Sequence, residues 1–399
     1  MSALEFEILA KSGKARTSIL TLPHYKVTTP IFQPVGTCGS MKGLTSKQLK
    51  ELDCQIILGN TYHLALHPGG EFFGKCGGLH EFMNWDRGLL TDSGGFQMVS
   101  LSKLAEVTEE GVNFVSPKDG SQMLLKPETS IKIQNQIGAD IIMQLDDVVH
   151  VLTSGKRLEE AMYRSIRWLD RCIKAHSRKK EQNLFPIIQG GLNPELRKIC
   201  LKEMIKRDCP GYAIGGLSGG ESKDQFWKIV SLCTDYLPED KPRYLMGVGF
   251  PVDLIVCSVL GVDMFDCVYP TRTSRFGTAL VWEGTLKLKS EKYQFDFDPI
   301  EKDCDCLTCK TYTKSAIHTL VTKETVGCHL LTIHNIRFQM RLMQRFRESI
   351  KNNKMPEFVR GFMKAQFKKK GEKKITYPTW VIEALQSQQI ELDYENDED

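Results

Sequence analysis

The sequence lacks any long apolar run: no stretch approaches the roughly 18 to 20 consecutive apolar residues that a membrane-spanning helix needs. Its first residues show no basic segment followed by an apolar one, so we expect no secretory leader. Internal repeats and low-complexity domains are absent as well. We therefore expect a cytoplasmic protein without a transmembrane segment and without import into the mitochondrial matrix.

The sequence also lacks a large excess of charge of either sign. The chain has 53 Lys and Arg residues against 49 Asp and Glu, a formal net charge of +4, which does not by itself indicate nucleic-acid binding. Its 13 cysteines are an odd number and are scattered, and only Cys304, Cys306 and Cys309 form a tight cluster. This usage argues against a disulfide framework and is typical of a reducing compartment with one metal site.

Short apolar runs that end in polar or glycine residues recur along the chain, with amphipathic helical patterns between most of them. The runs are Gln55–Asn60, Leu89–Gly95, Asp140–Asp147, Leu184–Gly190, Tyr212–Gly216, Tyr244–Gly247 and Asp263–Asp266. Apolar strands that alternate with helices predict parallel βαβ units. Seven or eight such units favour an α/β fold of the (β/α)8 TIM-barrel type over an open sheet. In such a barrel, the polar residues that end the strands converge on one rim.

The chain divides into three predicted parts. Residues 1–290 should form the barrel, with N-terminal strands and hairpin insertions around residues 106–125 and 277–288. Residues 291–385 should form a zinc-binding, helical C-terminal subdomain that includes a helix from about residue 326 to 351. Residues 386–399 are acidic and are expected to be a disordered tail.

The cysteine cluster, Cys304-x-Cys306-x-x-Cys309, places three thiols on one short loop. Zinc prefers four such ligands in a tetrahedron, and a tight loop supplies three with little ordering cost. His318, Cys328, His329 and His334 are all within reach as the fourth ligand, and sequence alone divides the choice between Cys328 and His334. A site with four protein ligands has no open position, so the zinc should be structural.

Four carboxylates stand out because each follows an apolar run and precedes a turn: Asp92, Asp146, Asp147 and Asp266. Two carboxylates on one rim suit a glycosidic displacement, in which one attacks the anomeric carbon and the other moves protons at the leaving group. The alternative for any single one is a cap on the following helix. Their joint occurrence on one predicted rim favours chemistry.

Glycines and basic residues complete the predicted rim. Thr91–Gln97 and Gly215–Gly220 carry glycines that would let backbone amides approach a planar ligand, and Phe96 offers a stacking face. Arg272 and Arg275 follow the Asp266 loop and are typical of a phosphate clamp. The run Lys368–Lys370 is equally consistent with an ordinary solvated surface.

Five ordered motifs together resemble the tRNA-guanine transglycosylase family, over roughly residues 34–350. They are Asp92-Ser-Gly-Gly-Phe-Gln97, Gly215-Gly-Leu217, Tyr244-Leu-Met-Gly-Val-Gly249, Phe265-Asp-Cys-Val-Tyr-Pro-Thr-Arg272 and the cysteine cluster. Residues 143–149 and 216–222 are similar to the eukaryotic members that insert queuine. The resemblance implies a pentosyltransferase that replaces guanine by queuine at the wobble position of tRNAs with GUN anticodons, those for Asp, Asn, His and Tyr.

The resemblance also implies a role for individual residues. Asp266 would be the nucleophile that forms an aspartyl-ribosyl intermediate, and Asp92 would be the proton acceptor and donor. The base would be bound by Asp92, Ser93, Gly94, Gly95, Phe96, Asp146, Gln189, Gly216, Leu217 and Met246. The anticodon loop would contact Gly247, Val248, Gly249, Phe250, Pro251, Val252, Asp253, Thr271, Arg272, Thr273, Ser274 and Arg275. The implied zinc ligands are Cys304, Cys306, Cys309 and His334, with zinc as the only cofactor.

The partners implied by the resemblance are tRNA, queuine and a non-catalytic homologous subunit in a heterodimer, with peripheral association at the mitochondrial outer membrane. Three alternative functions can be compared with the sequence. A non-catalytic partner subunit would lack the nucleophile, whereas Asp266 and Asp92 are present. A metal-dependent hydrolase needs histidine pairs at strand ends, and these carboxylates have none beside them. An enzyme for a smaller 7-deazaguanine precursor is disfavoured by Val148 and by Gly219, which leaves space for the cyclopentenediol of queuine.

Overall fold

The computed structural model describes residues 3–37, 39–96, 106–115, 120, 122–368 and 375–393. The strands in this part of the chain are β1 Glu5–Ser12, β2 Ala15–Thr21, β3 Lys26–Thr29, β4 Ile31–Gln33, β5 Val35–Gly36, β6 Ile56–Gly59, β7 Gly88–Thr91, β8 Glu106–Val107, β9 Val112–Val115, β10 Gln122–Leu125, β11 Ile141–Met143, β12 Asn183–Phe185, β13 Ile187–Ile188, β14 Tyr212–Ile214, β15 Arg243–Leu245, β16 Met264–Asp266, β17 Thr278–Val281 and β18 Gly284–Lys287.

Helices follow most of these strands. They are Ser46–Glu51, Thr61–Leu66, Gly70–Cys76, Leu79–Met83, Pro127–Ile137, Lys156–Ala175, Pro194–Ile205, Lys223–Tyr236, Pro251–Val259, Tyr269–Arg275, Leu307–Thr311, Lys314–Lys323, Thr325–Lys351, Met355–Phe367 and Thr379–Gln386, with a short 3-10 turn at Glu291–Tyr293. The helix Thr325–Lys351, which has 27 residues, is called the long helix below.

The central feature is a closed parallel barrel. One sheet runs β12-β11-β7-β6-β5 and the other β13-β14-β15-β16-β4. Pro34 lies between β4 and β5, and Pro186 lies between β12 and β13, so each pair is one strand that a proline interrupts. The two sheets therefore join into a ring of eight strands. All the pairings in this ring are parallel, which confirms the predicted (β/α)8 fold.

The apolar interior of the barrel is closed at one end by the N-terminal strands. β1, β2 and β3 form an antiparallel sheet. Leu20 and Val27 from this sheet, and Leu22 from the turn between β2 and β3, pack in the same buried cluster as residues of the barrel strands, among them Ile56 and Met264. Ligands must therefore approach from the opposite end, where the strands finish.

Polar residues at the closed end have buried partners. Arg16 on β2 donates from Nε to Oδ1 of Asp263 at 2.9 Å and from Nη2 to Oδ2 at 2.6 Å, and both side chains are almost fully buried. Asp140 accepts the backbone N–H of Leu89 at 2.8 Å and contacts His24 Nδ1 at 2.7 Å. Asp140 and Asp263 lie at the starts of strands, so this end serves stability.

The C-terminal part packs directly on the barrel. The long helix contacts β1, β2 and β4 and packs along the Tyr269–Arg275 helix. The division at residue 290 stays a prediction. Ordered packing reaches Ile390 and Leu392, which are buried, beyond the predicted start of the tail at residue 386, and residues 394–399 lie outside the described part.

Candidate active site and metal centre

The polar residues predicted from the strand ends lie together at the open end of the barrel. Asp92 follows β7, Asp146 follows β11 and Gln189 follows β13, while Gly216, Met246 and Asp266 belong to the ends of β14, β15 and β16. Because all these strands are parallel, their last residues face the same rim. The rim therefore brings together carboxylates, a carboxamide and glycines from six strands.

Asp266 is held by two donors. The Tyr244 hydroxyl donates to Asp266 Oδ1 at 2.6 Å, and the Gly247 backbone N–H donates to the same oxygen at 2.9 Å. Burial raises the pKa of Asp266 and the negative charge of Asp92 adds to this, while the two hydrogen bonds act in the opposite direction. The two donors fix the orientation of a carboxylate that remains partly exposed.

Asp92 is held by the start of the next helix. The Asn60 side chain donates to Asp92 Oδ2 at 2.5 Å, and the Thr61 backbone N–H donates to Oδ1 at 2.9 Å. Asn60 ends the apolar run of β6 and immediately precedes the helix Thr61–Leu66. Asp92 and Asp266 act on each other electrostatically, since the negative charge of Asp92 raises the pKa of both Asp266 and Tyr244.

Asp146 and Asp147 have different surroundings. Gln189 Nε2 donates to Asp146 Oδ2 at 2.6 Å, and burial raises the pKa of Asp146 to about 6. Asp147 instead accepts two bonds from Arg157, at 2.8 and 2.6 Å. Asp146 is thus part of the rim, whereas Asp147 is engaged in an ion pair with the Lys156–Ala175 helix.

Glycine is required where backbone approaches the rim closely. Gly216 has φ +66°, and a Cβ there would lie 2.3 Å from Gln189 Oε1. A Cβ on Gly95 would lie 2.9 Å from Leu145, and Gly94 has φ +83°. Phe96 is 61% exposed at the mouth of the rim, and Gln97 of the same motif lies outside the described residues.

The remaining predicted base contacts lie on the same rim. Ser93 is buried, and its hydroxyl accepts the Gly95 backbone N–H at 3.2 Å. A Cβ on Gly215 would lie 3.6 Å from Met246 Sδ, which places the sulfur beside this glycine pair. Leu217, the next residue along the chain, is partly buried.

Several residues of the rim were not assigned a role from the sequence alone. Arg197 is fully buried and donates to the carbonyls of Ile188 at 2.7 Å and Gly191 at 2.8 Å, so it braces the end of β13. Glu221 accepts the backbone N–H of Ser218 and, at 2.9 Å, that of Gly219. Asn60 and Tyr244 had a signal, because each lies in an apolar run that ends at the rim.

The two segments expected to contact the anticodon loop differ in exposure along their length. Gly247, Phe250, Arg272 and Arg275 are exposed, Val252 and Thr273 are half-buried, and Val248, Gly249, Pro251, Asp253, Thr271 and Ser274 are buried. Asp253 pairs with Lys223, and the Ser274 hydroxyl lies 2.7 Å from that of Thr332. The buried residues therefore support the surface that the exposed ones form.

The three cysteines of the cluster surround His334. Its Nδ1 atom lies 3.7, 3.8 and 3.3 Å from the sulfurs of Cys304, Cys306 and Cys309. Nε2 of the same ring lies 2.8 Å from the Leu280 carbonyl, and an N–H there would direct Nδ1 to the cysteines. These four residues form a group that fits zinc.

The other possible fourth ligands are occupied elsewhere. Cys328 contacts the Arg275 carbonyl at 3.8 Å, and His318 Nδ1 lies 2.8 Å from the Leu288 carbonyl. His329 packs against Gly43, where a Cβ would lie 2.5 Å from its ring. Geometry therefore favours His334 over Cys328, the choice that spacing left open.

The long helix connects the metal centre to the rim. Asn335, next to His334, donates to the carbonyls of Pro270 and Thr278, each at 3.0 Å. One turn further, Gln339 donates to the Gly249 carbonyl at 2.7 Å. Both segments expected to contact RNA are thus hydrogen-bonded to the helix that carries His334.

Within the described residues, none of the helices is both long enough and apolar enough to cross a bilayer.

The sequence model of the queuine tRNA-ribosyltransferase family matches residues 11–368. A queuine tRNA-ribosyltransferase catalytic subunit from Caenorhabditis elegans is 55% identical over 98% of this chain and 100% of its own length. The catalytic subunit from Schizosaccharomyces pombe is 54% identical over 98% of each chain. A queuine tRNA-ribosyltransferase from Caldanaerobacter subterraneus is 47% identical over 92% of this chain and 99% of its own. The chain therefore belongs to the queuine tRNA-ribosyltransferase family, which confirms what its motifs predicted.

Proposed function

We propose that this chain exchanges guanine for queuine at the wobble position of tRNAs with GUN anticodons. The observation that carries the proposal is the pair of carboxylates, Asp266 and Asp92, on one rim of the barrel, each held by donors from the end of the adjacent strand. The substrate tRNAs are those for Asp, Asn, His and Tyr. The names of the relatives support the reaction class.

The exchange proceeds in two displacements. Asp266 attacks C1′ of the ribose, a C–O bond forms, the C1′–N9 bond breaks, and the leaving guanine takes a proton from Asp92. Queuine then gives its N9 proton to Asp92, and N9 attacks C1′ and releases the Asp266 carboxylate. Two inversions retain the sugar configuration and need no nucleotide energy. Tyr244 and Gly247 orient the attacking carboxylate throughout.

Base recognition is assigned to Asp146 and Gln189. A carboxylate beside a carboxamide matches the donor and acceptor edge of a guanine-like heterocycle, and their mutual bond at 2.6 Å holds both in position. Ser93 to Phe96, Gly216, Leu217 and Met246 shape the rest of the pocket. The base must leave its stack to reach this depth, which costs a few kcal/mol and is easiest in a single-stranded loop.

A structural zinc would be held by Cys304, Cys306, Cys309 and His334, and it would fasten the C-terminal part to the barrel without taking part in the exchange. We further propose that the chain resides in the cytoplasm, with peripheral association at the mitochondrial outer membrane, and works as a heterodimer with a non-catalytic homologue. The term catalytic subunit in the names of its relatives supports a partner.

Gly219 is proposed to favour queuine over a smaller precursor base. A Cβ at this position would lie 3.2 Å from Val151 Cγ1, so a side chain would push against the segment that follows Asp146 and Asp147. Gly219→Val is expected to weaken queuine incorporation more than guanine exchange. Equal use of queuine by Gly219→Val and the parent would reject this account.

The mechanism is tested by base exchange with labelled guanine and queuine, using the purified chain with and without the homologous partner. Asp266→Ala should abolish exchange and the covalent tRNA adduct that denaturing gels detect. Asp86→Asn, at a carboxylate whose side chain is 75% exposed, is the matched control and should keep both. Full turnover by Asp266→Ala would overturn the proposed mechanism.

A further inference from the structure

Three side chains at the starts of three helices meet at the rim, one of them from the segment 247–253. Lys223 Nζ lies 5.7 Å from the centroid of the Phe250 ring and 5.7 Å from that of Trp380. These distances are within the range of cation–π contacts. Lys223 begins its helix, Phe250 immediately precedes the Pro251–Val259 helix, and Trp380 is the second residue of Thr379–Gln386. The three residues are called the rim platform here.

The rim platform is accessible and pre-ordered. Phe250 is 52% exposed, and the side chain of Lys223 is 42% exposed. The ion pair with the buried Asp253 fixes the ammonium group. Phe250 also lies against Tyr269, with ring centroids 4.2 Å apart. These contacts hold the Phe250 ring in place at the edge of the segment 247–253.

The helix that carries Trp380 has an attachment of its own. Val381, Ala384 and Leu385 are buried, Lys228 Nζ lies 3.6 Å from a Glu383 oxygen, and the helix contacts both Lys223–Tyr236 and Pro251–Val259. Trp380 itself is only partly buried. The buried residues of the helix therefore hold it in place, and they position the Trp380 ring at the rim.

Aromatic faces combined with a positive charge bind unpaired nucleotides, because every base has a face that can stack and every nucleotide has a phosphate. An anticodon loop that inserts one base beside Asp266 must separate that base from its neighbours, which then lose stacking partners. The rim platform lies at the edge of the segment already expected to meet the loop. The match to the family model ends at residue 368, so Trp380 lies beyond it.

We propose that Lys223, Phe250 and Trp380 form a nucleotide-binding site that stacks an unpaired anticodon-loop nucleotide next to the exchanged one. This inference rests on the proposed function, because it requires tRNA as the substrate. Trp380 and Phe250 provide the ring faces, and Lys223 provides the positive charge. The site contributes to tRNA affinity and leaves the chemistry at Asp266 unchanged.

The test compares Trp380→Ala, Trp380→Phe and Phe250→Ala with the parent, in complex with the homologous partner. We expect Trp380→Ala and Phe250→Ala to raise KM for tRNA by roughly 5- to 50-fold, the effect of losing one stacked base. The kcat at saturating tRNA and the KM for queuine should not change. Trp380→Phe keeps a ring and should stay within about 3-fold of the parent. Ile382→Ala, on the same helix and partly buried, is the matched control.

A second measurement separates stacking from a loss of folding. 2-Aminopurine placed on either side of the wobble position should be quenched when the tRNA binds the parent, and brighter when it binds Trp380→Ala or Phe250→Ala. Phe250 is more than half exposed, so Phe250→Ala should keep the parental melting temperature. Parental tRNA KM and parental quenching in both alanine variants would overturn the platform while leaving the exchange reaction intact. A parent that exchanges no base would instead reject the proposed function.

Discussion

At the scale of single residues, Asp266 and Asp146 differ in the donors that surround them. Burial raises the pKa of both, but Asp266 receives a hydroxyl and a backbone N–H on one oxygen, which partly offsets this and stabilises its ionised form. Asp146 is less accessible to solvent, and its pKa is raised to about 6. The first carboxylate is suited to attack and the second to recognition of a base.

Tyr244→Phe is expected to lower kcat by roughly 10- to 100-fold, because it removes a hydrogen bond to a charged group. That bond lowers the pKa of Asp266, so its loss should move the acid limb of the pH–kcat profile to higher pH. Tyr163→Phe, at a tyrosine that is 38% exposed, should leave the profile unchanged. An unshifted limb in Tyr244→Phe would argue against its role at Asp266.

Queuine binding should depend on the protonation of Asp146. Because burial raises the pKa of this carboxyl to about 6, it takes up a proton as pH falls through that value and loses acceptor capacity. The Kd for queuine, measured by calorimetry on the free enzyme from pH 5 to 8, should therefore rise below about pH 6. Asp146→Asn should bind weakly throughout and show no such rise. A Kd independent of pH in the parent would contradict the assignment.

The raised pKa of Asp146 also makes the stability of the fold depend on pH. Folding disfavours the ionised form of Asp146, so its contribution to stability falls as pH rises from the unfolded pKa toward about 6.

Strand-end position allowed Asp92, Asp146 and Asp266 to be selected from sequence. Asp147 could not be separated from Asp146 in this way, because its Arg157 partner comes from a helix whose rotation only the folded packing decides.

At the scale of elements, the long helix serves two sites with successive turns. His334 faces the cysteines, while Asn335 and Gln339 face the two rim segments. Sequence predicted this helix within a residue or two. It left the choice between Cys328 and His334 open, because both lie within reach and only the rotation of the helix separates them.

His334→Ala is expected to reduce bound zinc, measured by metal analysis, to well below one ion per chain. The free energy of unfolding should fall by at least about 3 kcal/mol, since a structural zinc site contributes directly to folding. Chelation of the parent should have the same effect. Cys328→Ala is the matched control, and parental zinc content in His334→Ala would show that another residue completes the site.

The closed end of the barrel offers a paired comparison of ion pairs. Arg16→Met should lower the free energy of unfolding by about 3–5 kcal/mol, because Asp263 then stays buried without its partner. Lys11→Met breaks the nearby pair with Glu239, in which both side chains are exposed, and should cost less than about 1 kcal/mol. Urea denaturation measures both. Equal losses would mean that Asp263 finds compensation elsewhere.

The barrel strands show how far local patterns reach. Apolar runs predicted strands at Gln55–Asn60, Leu89–Gly95 and Asp140–Asp147. β6 and β11 lie within their runs, and β7 begins one residue before its run, at Gly88. The count stayed at seven or eight, because β4 with β5 is a short strand that a proline interrupts, beside the N-terminal strands. Closure of the ring depends on the pairing of β16 with β4, which joins distant parts of the chain.

At the scale of the whole molecule, the candidate metal centre and the rim segment proposed to contact tRNA are connected through the long helix. Gln339 is fully buried on the long helix, and its side-chain amide donates a hydrogen bond of 2.7 Å to the Gly249 carbonyl. Gly249 directly precedes the exposed Phe250. A change at the zinc centre should therefore alter tRNA binding before it alters binding of the base.

Gln339→Leu is expected to raise KM for tRNA several-fold, because the Gly249 carbonyl loses its donor and the segment 247–253 loses a support. The KM for queuine should stay within about 2-fold, and the free energy of unfolding should fall by about 1–3 kcal/mol. Gln344→Leu, at a partly buried position of the same helix where the side chain donates to the neighbouring Glu348, is the control. A rise in KM for queuine alone would contradict the proposed connection.

The position of His334 near the end of the chain has a consequence for how the protein is made. The three cysteines leave the ribosome before the histidine that completes their group, and Gln339, which supports the rim, follows only five residues later. A nascent chain that stops short of the long helix has every barrel strand, yet it holds neither the metal nor a supported RNA surface. Truncated products of translation would therefore carry the carboxylates without a properly formed surface for tRNA.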